Sequence, residues 1–393
     1  MNRDQIREQV LSIKSRNILC ELPTSFGKSK IALDRMAKVV EPKLGTKILV
    51  VVPRLLLMDN WREEFKKWGY GEYLNFTDFV TYVSFPKKAS IWDMVIFDEA
   101  HHLSDRCKEA LEDFRISNSI LLSATVSRDM KYELPRLFPS LCTIKVSTKS
   151  AIQNEVLPDP KVFLIPLHLD NKIPNCEIVK NKSQKTEIRI PFERKFDYAK
   201  VKNKRVVITC TQQQYYDDMT AMINWYKKKM FSEIFKNKFL KASGDRLKWL
   251  SEQKTEYVRR LLCSILKDQR TLTFCNGIPQ TEVLGKYCIN SKNKASSENL
   301  EKFNTGKVDH ITACNMLDEG MNLANCRVGV YAVLNSSERM ITQKLGRLLR
   351  HKNPVLIIPY YVGTREEELV QKMLEDYNPE LVKTITNLSQ LTL

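Results

Sequence analysis

Three groups of residues have the types and spacing to do chemistry. Leu22-Pro-Thr-Ser-Phe-Gly-Lys-Ser29 follows an apolar run and precedes an amphipathic one. Backbone N–H groups and the N-terminus of a helix beginning near Lys28 would there face a phosphate, with Lys28 reaching its oxygens and the Ser29 hydroxyl coordinating a divalent cation. The first glycine usual in such a loop is Leu22 here, Ser25 lowers the glycine content further, and Gly27 remains. About seventy residues on, Val95-Ile-Phe-Asp-Glu-Ala-His101 puts Asp98 and Glu99 at the end of an apolar strand. Adjacent carboxylates repel each other and resist burial, so this end is expected to be exposed. Magnesium changes that balance: Asp98 would hold the ion while Glu99 orients and deprotonates an attacking water. Third, Gln343, Arg347 and Arg350 are spaced four and three apart and share one helical face. Two arginines so placed make either a solvated basic stripe or a pair that reaches across a cleft to a terminal phosphate.

Elements must hold these groups in place. Up to residue 157, apolar runs alternate with amphipathic segments, the pattern of a mainly parallel sheet covered by helices. Core strands are expected at 17–22, 47–52, 94–97 and 119–123, with the candidate residues at their carboxyl ends, where such sheets bind ligands. Leu157-Pro-Asp-Pro160 resists helix formation and marks the expected boundary between a first domain, 1–157, and a second, 158–393. Strands of the second are expected at 271–275, 310–314, 328–333 and 354–359. The fold class is α/β, two tandem domains with parallel sheets.

Charge adds a further feature. Formal net charge is +17, and residues 171–250 hold 19 Lys and Arg against 8 Asp and Glu, so most of the excess lies in one stretch. Residues 171–240 lack glycine and carry Phe192, Phe196, Tyr198, Tyr215, Tyr216, Trp225 and Tyr226. They read as a basic, aromatic insertion at the start of the second domain. Its lysines, Lys227, Lys228 and Lys229 above all, are candidates for nucleic-acid phosphates, and its rings either stack on unpaired bases or form the insertion's own core.

The 393 residues suffice for two domains with separate cores, and 43% hydrophobic with 28% charged residues is an ordinary globular composition. No apolar run approaches the roughly 18 residues of a membrane helix, and the first residues lack an apolar signal core; a cytoplasmic chain is expected. None of the ten cysteines forms a C-x-x-C pair, so reduced thiols and no structural zinc are expected.

Taken in order, these segments resemble a superfamily 2 helicase of the D-E-A-H type. Pro23 to Ser29 resembles motif I, Val52-Pro-Arg54 motif Ia, Thr81-Tyr82 motif Ib, Asp98 to His101 motif II and Ser123-Ala-Thr125 motif III. Phe274-Cys-Asn276 resembles motif IV, Asp318-Glu-Gly-Met-Asn-Leu323 motif V and Gln343 to Arg350 motif VI. L-P-T-S-x-G-K-S is similar to the loop of phage UvsW-type recombination helicases. The resemblance implies two RecA-like domains, ATP and Mg²⁺ between them, and nucleic acid, DNA favoured over RNA, lying across both. It implies nucleotide contacts at Pro23, Thr24, Ser25, Phe26, Gly27, Lys28, Ser29, Gly320 and Asn322, with Gln5 reading adenine. Ser29 and Asp98 would hold the metal, and Glu99 would act on water. His101 and Gln343 would couple the domains, and Arg347 and Arg350 would complete the site. Nucleic-acid contacts are expected at Pro53, Arg54, Thr81, Thr125 and Asn276. The implied activity is ATP-driven translocation with unwinding or remodelling, by a chain active as a monomer, with accessory replication or recombination proteins as further partners. The alternatives are duplex translocation without strand separation, RNA unwinding, and a catalytically dead clamp.

Overall fold

A computed structural model describes residues 2–181, 199–202, 205–290, 292–314, 323, 326–334, 351–375 and 377–391. Its first unit opens with helix α1 (Arg3–Ser12), then β1 (Asn17–Glu21), α2 (Lys28–Val39), β2 (Ile48–Val52), α3 (Leu56–Lys67) and β3 (Thr77–Thr81). There follow β4 (Ile91–Trp92), β5 (Met94–Phe97), β6 (Arg115–Ile116), β7 (Ser119–Ser123) and β8 (Cys142–Lys145). Six of these strands form one parallel sheet in the order β3-β2-β5-β7-β1-β8. β2, β5 and β7 are buried along their whole length. Strands covered on both faces read as continuous apolar runs, which is why the sequence reveals them.

The second unit forms a seven-stranded parallel sheet. β9 (Lys161–Leu167) enters it directly after Leu157-Pro-Asp-Pro160 and pairs along its length with β17 (Val355–Tyr361). The other members are β13 (Thr271–Phe274), β14 (Cys288–Ile289), β15 (His310–Ala313), β16 (Val328–Tyr331) and β18 (Val382–Thr384), in the order β14-β15-β13-β16-β17-β9-β18. The α/β expectation holds, and each of the eight expected strands is present. Those the sequence did not reveal are instructive. β3, β8 and β18 are edge strands of mixed polarity, and β9 carries Pro166 where its burial falls off.

Between β9 and β13 lie a small antiparallel sheet of β10 (Cys176–Asn181), β11 (Ala199–Lys202) and β12 (Arg205–Cys210), then a helical hairpin, Gln212–Lys227 and Glu233–Gln253. The second hairpin helix continues past residue 240. Its base is core: Tyr216 packs with Leu169, Leu250 and Tyr361, and its hydroxyl accepts the Arg365 N–H at 2.7 Å. Phe192, Phe196 and Tyr198 lie outside the described residues. Just beyond the hairpin, Lys254 and Glu366 form a fully buried ion pair at 2.6 Å. Lys254 also donates to the Pro359 carbonyl, and Glu366 accepts the Tyr361 N–H, so each charge has a second partner. No helix among the described residues is long and apolar enough to cross a membrane.

Candidate active site

The candidate residues of the first unit gather at the carboxyl ends of its parallel strands. The loop 22–29 leaves β1, Pro53 and Arg54 leave β2, Thr81 ends β3, Asp98 follows β5, and Ser123 to Thr125 leave β7. Ladder-like bonds continue past the strand ends: Leu22 N–H donates to the Ser123 carbonyl at 2.9 Å and Asp98 N–H to the Val51 carbonyl at 2.9 Å. Each turn therefore leaves the sheet in a fixed direction.

The loop has a phosphate-cradling shape without its usual first glycine. Leu22 and Phe26 are core residues that pin it from below. Ser25 and Gly27 both take left-handed backbone angles, with φ of 66° and 98°, and a side chain at Gly27 would be strained there. Gly27 is also the N-cap of α2, and no side chain caps that helix. Its first N–H groups therefore point out of the helix end, beside Lys28 and Ser29, as an anion site requires. The Lys28 ammonium lies 3.6 Å from Glu99 Oε1 and 3.4 Å from the Leu22 carbonyl.

The carboxylates depart from expectation. Asp98 and Glu99 are not at an exposed strand end; both are largely enclosed, because neighbours supply partners that bulk water would otherwise provide. Trp61 Nε1 donates to Asp98 Oδ2 at 2.9 Å, and the Tyr82 hydroxyl donates to the Asp98 carbonyl at 2.8 Å. His101 Nδ1 lies 3.4 Å from Glu99 Oε2 and 3.1 Å from Ser123 Oγ, joining the acidic motif to the end of β7. Burial, followed by the like charge of Glu99, pushes the Asp98 carboxyl up to about 6, against the opposing pull of Trp61 and Lys28. A divalent cation would relieve both burial and repulsion, and Ser29 opens on the same cleft, so these residues fit Mg²⁺.

That cleft has a volume of about 970 Å³ and is lined by Lys28, Ser29, Asp98 and Glu99, and also by Pro158, His351 and Lys352. Gln343, Arg347 and Arg350 lie outside the described residues, as do Gly320 and Asn322. His351 and Lys352, which immediately follow Arg350, bring that end of the chain to the cleft. Gln5 does not line it. Its side chain closes a capping box with Asn2 at the start of α1. Arg3 does line the cleft, donating to the Ser25 and Val156 carbonyls at 3.1 Å each. Sequence reasoning missed Arg3, Trp61 and Trp68, another lining residue. Trp61 shares the buried face of α3 with Leu57 and Phe65 and so reads as core.

Among the nucleic-acid candidates, Arg54 is exposed at the mouth of β2, and Thr125 N–H is held by Ser123 Oγ. Asn276 follows β13 on the second sheet, its N–H donating to Gln280 Oε1 at 2.8 Å. Lys227, Lys228 and Lys229 are not in the cleft; they occupy the turn of the helical hairpin.

Comparison with known proteins bears on the fold and the family. Residues 3–90 match the family model of the type III restriction enzyme res subunit, and residues 253–352 match that of the helicase conserved C-terminal domain. The chain is 25% identical over 403 residues to the DNA 3'-5' translocase XPB2 of Sulfurisphaera tokodaii, covering 95% of this chain and 84% of that protein. Among solved structures it is similar to S. cerevisiae Dbp5 bound to RNA and ADP BeF3, with a TM-score of 0.59 at 12% identity over 97% of this chain and 89% of that one. It is similar also to the Hef helicase domain of Pyrococcus furiosus, with a TM-score of 0.51 at 13% identity, over 94% and 97% of the two chains. The fold is thus two RecA-like α/β domains, and the family matches support a superfamily 2 helicase.

Proposed function

We propose that this chain is an ATP-driven motor that moves on DNA, binding ATP in the cleft that carries Lys28, Ser29, Asp98 and Glu99. The observation that carries the reading is the convergence in one cleft of an uncapped helix N-terminus, a lysine and two enclosed carboxylates, with His351 and Lys352 from the second unit on the same walls. The α2 N-terminus and Lys28 bind the phosphates. Mg²⁺, held by Ser29 and Asp98, would supply charge neutralisation at the phosphate oxygens. Glu99 orients a water and accepts its proton. The contact of His101 with both Glu99 and Ser123 makes it the residue through which the end of β7, and Thr125 beyond it, bears on that base. Gln343, Arg347 and Arg350 would close the site from the second domain, so that ATP draws domains 1–157 and 158–393 together and hydrolysis releases them.

The similarity to the DNA 3'-5' translocase XPB2 of Sulfurisphaera tokodaii favours DNA and translocation. The loop L-P-T-S-x-G-K-S and Asp98 to His101 favour a D-E-A-H-type, UvsW-like remodelling motor. ATP turnover titrated with single-stranded DNA, duplex DNA, a fork and RNA tests the assignment. DNA is expected to stimulate most, and RNA as the sole stimulant would refute the DNA reading. Strand separation is distinguished from duplex translocation by an unwinding assay run beside displacement of a triplex strand.

A further inference from the structure

The turn of the helical hairpin carries a surface that the ATP cleft does not use. Phe231 is 89% exposed, Ile234 65% and Trp225 48%. Their neighbours are basic: residues 222–241 contain six lysines and one acidic residue, Glu233. The rings are arranged. Trp225 packs edge-on against Phe235 at 5.5 Å and beside Tyr226 at 5.2 Å, and the Lys229 ammonium sits 4.0 Å above the indole. A second lysine, Lys238, lies 5.4 Å from the Phe235 ring.

Apolar side chains left in water at a hairpin turn cost solvation without adding to the fold's own core, because the hairpin is anchored at its other end by Tyr216 and Leu250. About ten helical residues separate Tyr216 from Tyr226, so the turn stands about 15 Å from that anchor. The partner must therefore offer flat apolar faces to the rings and negative charge to the lysines. Unpaired nucleic acid offers both in one repeat, a base and a phosphate per nucleotide. An acidic protein groove or an anionic lipid surface offers the charge without a regular series of flat faces. Lysine, a point charge without arginine's fork, suits contact with phosphates whatever the sequence.

We infer that the hairpin turn is a second nucleic-acid site, distinct from the strand-end face, in which exposed rings led by Phe231 and Trp225 stack on bases of a single strand while Lys227, Lys228 and Lys229 hold its phosphates. The inference rests on the reading that the chain acts on nucleic acid. It makes the turn a grip on the unpaired strand, and a pure duplex lacks the exposed base faces it takes.

The test uses the full chain and an unpaired oligodeoxythymidine of about 20 nucleotides, with a blunt duplex of equal length, anionic phosphatidylserine vesicles and a polyglutamate peptide as competing probes. Phe231→Ala changes a side chain almost wholly in water and so leaves folding intact. It should weaken single-strand affinity about tenfold, with duplex affinity changed less than twofold. Lys227→Gln, Lys228→Gln and Lys229→Gln together should flatten log affinity against log salt by about 2, at roughly 0.7 per phosphate on a single strand. Indole fluorescence should be quenched by the oligonucleotide in the parent chain and less so in Trp225→Phe. Equal single-strand affinity and salt slope in parent and variants would overturn the inference, as would tighter binding of the vesicles or the peptide. ATP turnover separates this failure from that of the motor reading: a parent chain that no nucleic acid stimulates sinks the motor, whereas a stimulated parent with indifferent turn variants sinks only the second site.

Discussion

At Asp98 burial and the like charge of Glu99 raise the carboxyl's hold on a proton, and Trp61 is the neutral side-chain donor that partly offsets them. Removing that donor while keeping an aromatic ring, as in Trp61→Phe, leaves Asp98 buried with Glu99 beside it and one hydrogen bond fewer. Its carboxyl should bind protons more readily still. We expect turnover of ATP to fall about tenfold, ~1.4 kcal/mol in the barrier, with a small change in KM. Steady-state kinetics checks this, and an unchanged turnover would show that Trp61 only fills space. Lys28→Ala should abolish turnover while nucleic-acid binding persists; hydrolysis surviving in that variant would move the phosphate site elsewhere. The contrast between these residues shows what a sequence discloses. Lys28, Ser29, Asp98 and Glu99 lie in short motifs whose chemistry is local. Trp61 reaches Asp98 across 37 positions, and only the sheet brings them together.

Single elements also carry charges whose state sets their stability. Burial pulls the His310 imidazole at the start of β15 down to about 4, and its Nε2 lies 3.1 Å from Thr273 Oγ1 on β13. The folded value lies below the ordinary value of about 6.5, so the unfolded chain binds the proton more readily. Stability is therefore present above pH 6.5 and is lost as pH falls from there towards 4, by on the order of 2–3 kcal/mol. His310→Gln should flatten that acid limb, read as urea midpoints across the same range. The Lys254–Glu366 pair ties the end of the hairpin to the helix Arg365–Leu374. Lys254→Met strands a buried carboxylate and should cost about 3–5 kcal/mol, whereas Lys254→Met with Glu366→Leu should recover much of it. Denaturant melts of the two variants decide. Nothing in the spacing of Lys254 and Glu366 announces the pair. The central parallel strands were legible because both of their faces are apolar, and the edge strands were not, since their exposed side blurs the pattern.

For the whole molecule, what matters is that one cleft takes walls from both units. If ATP and DNA each favour the closed arrangement, each must tighten the other by the same factor. Equilibrium titrations of a non-hydrolysed ATP analogue with and without duplex DNA should return equal coupling in both directions, and zero coupling would separate the cleft from the track. Order along the chain was readable from the motifs. The placing of Lys352 on the same cleft as Lys28 and Asp98 was not, because it depends on how two separately folded sheets meet.

The anchoring of the helical hairpin has a mechanical consequence. Held at its base by Tyr216 and the buried Lys254–Glu366 pair, it is a stiff arm about 15 Å long, and stiff arms magnify rotation. A turn of the second domain by about 20° would add roughly 5 Å of sideways travel at Phe231 to whatever the base itself moves, more than the ~3.4 Å rise between stacked bases. The hairpin would then work as a gear, converting a small closure at the nucleotide into a stroke longer than one base step.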